Sequence, residues 1–261
     1  KLINCKYLVI RESTIISQRF TGYKRLIFDL LYNCYGSQDL LICQTNLMKD
    51  SLIAARHKNV ISNIVTIPNP VSIQRVGLML DKSELVSNSE QCFEIIMVGR
   101  LVAIKNHELV ISALARIKKQ QPYNFKLRVL GDGPTKNELK TLVEANGLNE
   151  NVEFLGNMDN PFQYMNKANL GVVASISEGF PNVLLEMMAA GTNNIITTPC
   201  TGDLDQLPNI SITNDHSVHS MTNAISSALI TKQDYSMKYR NYVQERDVSN
   251  YWAIIDKYLK A

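Results

Sequence analysis

Four charged side chains in two short stretches have the types and spacing to handle a phosphorylated, polyhydroxylated ligand. In VGRLVAIKN (98–106), Arg100 and Lys105 stand five apart, after Gly99, where an apolar strand gives way to a helix. Two cations there can bracket a diphosphate, the arginine by its planar fork and the lysine as a point charge. The plainer reading is a pair of exposed basic residues near a helix start. The helix dipole disfavours cations at that end, and the misfit favours a site. In SEGFPNVLLEMMAAG (177–191), Glu178 and Glu186 flank a turn made by Gly179, Phe180 and Pro181. Asn182 is placed to cap a helix from Val183 to about Ala190, with Gly191 as its stop. Backbone amides at such a start favour an anion. Glu186, one turn inside, can accept two hydrogen bonds from a ribose diol, and Glu178 can accept from sugar hydroxyls. Singly, each acid has an ordinary explanation, Glu186 as a first-turn acid and Glu178 as a solvated loop residue. In combination with Arg100 and Lys105 they point to one pocket. A further turn, LGDGP (130–134), follows another strand. Gly131 there permits close backbone approach, although many strand-to-helix turns look the same.

These residues need a frame that brings distant turns together. From residue 93 onward, apolar strand-like runs alternate with helix-length amphipathic segments: strands FEIIMVG, KLRVLG, VEFLG, LGVVAS, NIITT and ISIT, with helices near 106–119, 134–146, 161–168, 183–190 and 217–230. That alternation predicts βαβ units, a mostly parallel sheet covered on both faces, and ligands at the C-terminal strand ends. The expected class is α/β. A doubly wound, Rossmann-like C-terminal domain spans 92–231, and a partial N-terminal α/β domain spans 1–75 with strands KYLVI, DLLIC and NIVTIP. The polar stretch 76–91 reads as a linker. Residues 232–261, which carry the single tryptophan Trp252, read as helices crossing back to the N-terminal part. Three strands make a thin sheet for an independent domain, and the chain begins with Lys1, so it reads as a piece of something longer.

Composition excludes little but sets the class. The 261 residues are 45% hydrophobic and 20% charged with net charge +3, which suits a globular chain and is too weak to argue for nucleic-acid binding. No apolar run approaches the roughly 18 residues of a membrane span. Five cysteines without a CxxC pair suggest reduced thiols and a cytoplasmic setting.

The ordered blocks DLLICQTNLMKDSL (39–52), IPNPV (67–71), VGRLVAIKN, LRVLGDGP (127–134), NVEFLGN (151–157) and SEGFPNVLLEMMAAGT resemble the retaining, GT-B-fold glycosyltransferases of family 4. The last block resembles that family's Glu-x7-Glu signature, and the likeness covers most of the chain. The resemblance implies that Arg100 and Lys105 hold the donor's phosphates, Glu186 the ribose, and Glu178 the transferred sugar. The backbone from Gly179 to Asn182 and Val183 would cradle the sugar and distal phosphate, with Gly99 and Gly131 nearby. Leu155, Gly156 and Asn157 would lie where the family places the base. It further implies a UDP-sugar co-substrate, no cofactor and no metal, a lipid-linked or polysaccharide acceptor, and a cytoplasmic protein touching the inner face of a membrane peripherally. The chain departs from the family pattern where Thr201-Gly202-Asp203-Leu204-Asp205 replaces Gly-Gly-x-x-Glu.

Other readings stand beside this one. Asp203-Leu204-Asp205 is a DxD triplet of the kind that holds a metal on a sugar diphosphate in the other major glycosyltransferase fold. His216 and His219 have a metal-pair spacing without a nearby third ligand, and His107 reads as a helix-start residue. A nucleotide-sugar 2-epimerase shares the architecture. A donor-binding fragment without full activity is the non-catalytic alternative.

Overall fold

A computed structural model of the chain describes residues 6–15, 22–32, 38–55, 63–81, 92–121 and 123–260. They form two α/β lobes. The smaller holds β1 (Val9–Arg11), α1 (Gly22–Tyr32), β2 (Leu40–Cys43), α2 (Asn46–Ala55) and β3 (Ile64–Thr66). Its strands are parallel in the order β1-β2-β3. The central strand β2 is buried at all four residues, LLIC, as expected where both faces are covered.

Next comes α3 (Ile73–Asp81), where the polar composition suggests a linker from residue 76. Over the first part of that stretch, 76–81, the chain is helical. Ile73, Val76 and Leu80 recur at helical spacing, and Val76 is buried against the larger lobe while the polar residues face out. The remainder of that stretch, 82–91, lies outside the described residues.

The larger lobe runs β4 (Phe93–Val98), α4 (His107–Gln120), β5 (Phe125–Leu130), α5 (Lys136–Ala145), β6 (Val152–Gly156), α6 (Phe162–Lys167), β7 (Leu170–Val173), α7 (Asn182–Ala190), β8 (Asn194–Thr197), β9 (Ser211–Ile212) and α8 (Val218–Thr231). Its six parallel strands lie in the order β6-β5-β4-β7-β8-β9. This is the doubly wound arrangement, with the order reversing between β4 and β7. Successive residues of β4 enter different cores: Ile95 and Met97 pack on the α4/α8 side, and Ile96 packs on the α7 side. The apolar run is continuous because both faces are buried.

Two helices close the chain, α9 (Ser236–Gln244) and α10 (Val248–Lys260). Tyr239 of α9 is fully buried in the α7-side core. The chain then meets α3 again: Val71 N–H donates to the Arg246 carbonyl at 2.9 Å, and Ile73 N–H to Asp247 Oδ1 at 3.2 Å. From there α10 lies on the smaller lobe's sheet, with Tyr251 and Ile255 packed among Leu40, Ile42 and Ile67. Trp252 is 60% exposed and meets the seam edge-on at the Tyr251 ring, with centroids 6.1 Å apart. Among the described residues, no helix is long and apolar enough to cross a membrane.

Candidate active site

The reversal between β4 and β7 opens a crevice at the C-terminal strand ends, and both charged stretches leave the sheet there. Beyond β4 the chain stays tied to its neighbour. Gly99 N–H donates to the Leu130 carbonyl and Leu101 N–H to the Asp132 carbonyl, both at 2.9 Å. Gly131 allows this close approach. Its φ is +132°, and a Cβ there would lie 2.0 Å from the Gly99 carbonyl oxygen. The loop then makes one 3-10 turn, Ala103–Lys105, and a left-handed residue, Asn106, before α4 begins at His107. Arg100 is exposed on this loop and Lys105 is half-buried in its turn.

The second stretch leaves β7 and is fixed to the first by the Ile176 N–H, which donates to the Ile104 carbonyl at 2.8 Å. Lys105 Nζ reaches Glu178 Oε1 at 2.5 Å, with the side chains 24% and 19% exposed. The same carboxylate oxygen accepts from Ser175 Oγ at 2.8 Å. Glu178 N–H donates to the Cys200 carbonyl at 2.8 Å, and Thr201 Oγ1 donates to the Gly179 carbonyl at 2.7 Å, so the end of β8 braces the turn. Phe180 is buried in the core beneath it. Helix α7 follows and ends at Gly191, whose φ of +92° makes the left-handed stop expected of it.

Asn182 differs from its expected role. It is the first residue of α7, and Pro181 holds the cap position. Its side-chain oxygen instead accepts from Asn69 Nδ2 at 2.5 Å. Asn69, 1% exposed, also accepts from Arg11 Nη2 at 2.6 Å and donates to Gln44 Oε1 at 3.0 Å. A polar relay from the smaller lobe thus occupies the amide that would otherwise cap the helix.

The cleft so built encloses about 490 Å³. It brings together Gly99, Arg100, Lys105, Glu178, Gly179, Phe180, Pro181, Asn182, Val183 and Glu186. Ser13 and Thr14, from the loop after β1, complete the wall. Gly131 supports the floor from below. Leu155, Gly156 and Asn157 do not line the cleft. They stand at the end of β6, two strands away from β4, where the Gly156 carbonyl accepts from Gly131 N–H at 2.7 Å.

Electrostatically the cleft is mixed. Burial raises the Glu186 carboxyl above the ordinary glutamate range, opposed by the charge of Arg75. His107 is buried, and burial together with the nearby Lys105 charge lowers its pKa to about 4, so it stands neutral at pH 7 as a helix-start residue. Asp203, read alternatively as part of a metal-binding triplet, turns to the other lobe. Its Oδ2 accepts from Asn46 N–H at 2.6 Å, at the start of α2. Among the described residues, no group of three or more His, Cys, Asp and Glu side chains converges as a metal site would require.

Sequence reasoning missed Ser13, Thr14, Ser175 and Asn69. Ser175 carried a faint signal, as a polar residue ending the apolar run LGVVAS, and Asn69 as the polar member of IPNPV. Ser13 and Thr14 carried none beyond being small and polar.

Comparisons with known proteins bear on the family and the fold. The model of the family described as glycosyl transferases group 1 matches residues 82–246. An uncharacterized glycosyltransferase of Methanocaldococcus jannaschii is 30% identical over 201 residues, covering 76% of this chain and 49% of its own length. The N-acetylgalactosamine-N,N'-diacetylbacillosaminyl-diphospho-undecaprenol 4-alpha-N-acetylgalactosaminyltransferase of Campylobacter jejuni is 42% identical over 108 residues, covering 41% of this chain and 28% of its own. The chain therefore spans about half or less of the curated relatives it matches. Among solved structures, Anabaena HepE in complex with UDP and glucose superposes with a TM-score of 0.77 at 20% identity, covering 97% of this chain and 71% of that one. Staphylococcus aureus TarM superposes with a TM-score of 0.78 at 16% identity, covering 97% and 50%.

Proposed function

The chain belongs to the glycosyl transferases group 1 and has the GT-B fold, and from that premise we propose that its cleft binds a nucleotide-sugar donor for sugar transfer. The observation that carries the reading is the convergence of Arg100, Lys105, Glu178 and Glu186 with the start of α7 on one cleft at the strand-order reversal. In this reading Arg100, Lys105 and the amides opening α7 hold the diphosphate. Glu186 accepts from the ribose diol and Glu178 from hydroxyls of the transferred sugar. The base lies toward Leu155, Gly156 and Asn157.

An acceptor hydroxyl oxygen bonds to the anomeric carbon while the bond from that carbon to the diphosphate oxygen breaks. The acceptor's proton passes to the departing phosphate, and the nucleoside diphosphate leaves. Attack on the face from which the phosphate departs gives retention. Charge growing on the leaving group meets fixed cations and amides, a preorganised electrostatic stabilisation that needs no metal or other cofactor.

UDP is the proposed nucleotide, since the HepE complex contains it. A lipid-linked or polysaccharide acceptor is proposed because a relative's name specifies a diphospho-undecaprenol substrate. Such an acceptor presents its sugar at a bilayer, so peripheral contact with the cytoplasmic face of a membrane belongs to the same proposal.

Calorimetric titration with UDP, GDP and ADP tests the site, repeated on Lys105→Ala and Glu186→Ala. Removing one partner of a desolvated charged contact should weaken the preferred nucleotide by about 2 kcal/mol or more. Unchanged binding in both variants would refute the assignment. Product assays then separate the readings. Transfer or donor hydrolysis releases nucleoside diphosphate, epimerisation yields a new stereoisomer without release, and a binding piece does neither.

A further inference from the structure

Glu178 Oε1 has two holders, and only one of them has a role in the reading above. Lys105 Nζ lies 2.5 Å from it and Ser175 Oγ 2.8 Å from it. Lys105 is assigned to the diphosphate as well. A single ammonium beside a diphosphate is drawn by the larger negative charge, so the bound donor competes with Glu178 for the same cation. When Lys105 turns, the glutamate loses its ion pair at the moment its carboxylate must be aimed at the sugar. A glutamate side chain left to itself regains rotamer freedom that ligand binding must remove again.

Ser175 is built to prevent this. It is 1% exposed, so no bulk water competes for its hydroxyl. Its backbone is pinned: the Ser175 carbonyl accepts from Thr198 Oγ1 at 2.6 Å, and Thr198 is itself fully buried. The next residue is tied to the Lys105 loop through Ile176 N–H and the Ile104 carbonyl, at 2.8 Å. The hydroxyl therefore projects from a fixed point at the end of β7. A neutral donor of this kind can keep the carboxylate in place without following the phosphate.

We propose that Ser175 is the positioning residue that holds the Glu178 carboxylate on the sugar once Lys105 has gone to the diphosphate. The proposal rests on the donor-site reading of the cleft. It assigns Ser175 no contact with the ligand. Its effect is confined to the sugar half of the donor.

The test compares affinities of the whole chain for UDP and for UDP-glucose, UDP-galactose, UDP-N-acetylglucosamine and UDP-N-acetylgalactosamine. The quantity read is the advantage of the best sugar conjugate over UDP alone. Ser175→Ala should leave UDP affinity within about twofold and lower the sugar advantage roughly tenfold, the worth of a hydrogen bond to a charged group. Glu178→Gln should lose the advantage to a similar extent. Ser175→Thr, which keeps the hydroxyl, should restore it. Ser175→Cys, close in shape but a weak donor, should behave as the alanine variant does and serves if alanine disturbs folding.

Three outcomes would overturn the proposal. The wild type could show no sugar advantage. Ser175→Ala could keep the advantage that Glu178→Gln loses. Ser175→Ala could weaken UDP and its conjugates equally, the mark of a merely structural role. Failure of the underlying reading looks different, because Lys105→Ala would then leave UDP affinity unchanged.

Discussion

Lys105 and Glu178 hold each other at 2.5 Å, and the proposed function gives each a second partner in the cleft. The glutamate's charge therefore opposes binding of a bare nucleoside diphosphate, both by occupying Lys105 and by repelling the phosphates. Glu178→Gln should bind UDP more tightly than the wild type, by about threefold or more for a screened charge at a partly exposed site. Weaker UDP binding by this variant, measured by calorimetry, would contradict the shared-cation picture. Glu186 gives a pH signature. Burial raises its pKa, so the ionised acceptor form is complete above that raised value and is lost as pH falls through it. Affinity for a UDP-sugar, whose diphosphate diester does not titrate in this range, should begin to fall at a higher pH than an ordinary glutamate near 4.3 would allow. Glu186→Gln should bind more weakly and show a flat profile between pH 7.5 and 5. The charged members of the site were legible in the sequence, because two cations after a strand and two acids around a Phe-Pro turn break local rules. Ser175 and Asn69 were not, since a serine ending an apolar run and an asparagine before a proline each satisfy ordinary expectations. Asn182 looked like a cap because of its residue type, and only the contact with Asn69, remote in sequence, reassigns it.

Strands β4 and β7 are neighbours at the strand-order reversal, and the proposed function puts the chemistry on the loops after them. Gly131 is the element-level hinge of that arrangement. A Cβ at 2.0 Å from the Gly99 carbonyl must push the 98–106 loop off β5, in a backbone conformation that L residues rarely adopt. Gly131→Ala should cost about 1–3 kcal/mol of stability and weaken UDP binding together with it, measured by denaturant unfolding and calorimetry. Wild-type stability with unchanged affinity would show that the loop is not positioned through this contact. The strand and helix series of the larger lobe could be read because buried parallel strands are short apolar runs separated by amphipathic helices. The helix α3 could not be read as easily. Its packed face is the buried Val76 with the partly buried Ile73, Met79 and Leu80, and the exposed residues dominate its composition.

Across the molecule, the cleft depends on two lobes meeting in register. Ser13 and Thr14 reach it from one side, and a Cβ on Gly179 would lie 2.1 Å from the Ser13 carbonyl oxygen, so the lobes touch backbone to backbone at its mouth. Gly202 lies against the Leu47 side chain, where an added Cβ would stand 2.5 Å from the Leu47 Cβ, and Asp203 holds the start of α2. The departure of Thr201-Gly202-Asp203-Leu204-Asp205 from the family pattern thus falls at a seam between lobes. The C-terminal helix fastens the other end. Ile255, 3% exposed, packs into the small lobe's sheet, and Ile255→Ala should lower stability by about 2–4 kcal/mol. Trp252→Ala, at an exposed position whose ring meets only the edge of the seam at Tyr251, should change it by about 1 kcal/mol or less in urea titrations. Equal effects would place the seam elsewhere. The sequence reads 232–261 as helices crossing back to the N-terminal part, but which residues α10 meets there has no local signature, since the contacts join residues some two hundred positions apart.

In the proposed function one cleft grips the diphosphate between the β4 loop and the start of α7. A crystal of the chain soaked with a UDP-sugar tests it most directly. Phosphate oxygens should then lie within hydrogen-bond distance of Arg100 and Lys105, with ribose hydroxyls on Glu186. A ligand lodged away from residues 98–106 and 177–186 would contradict it.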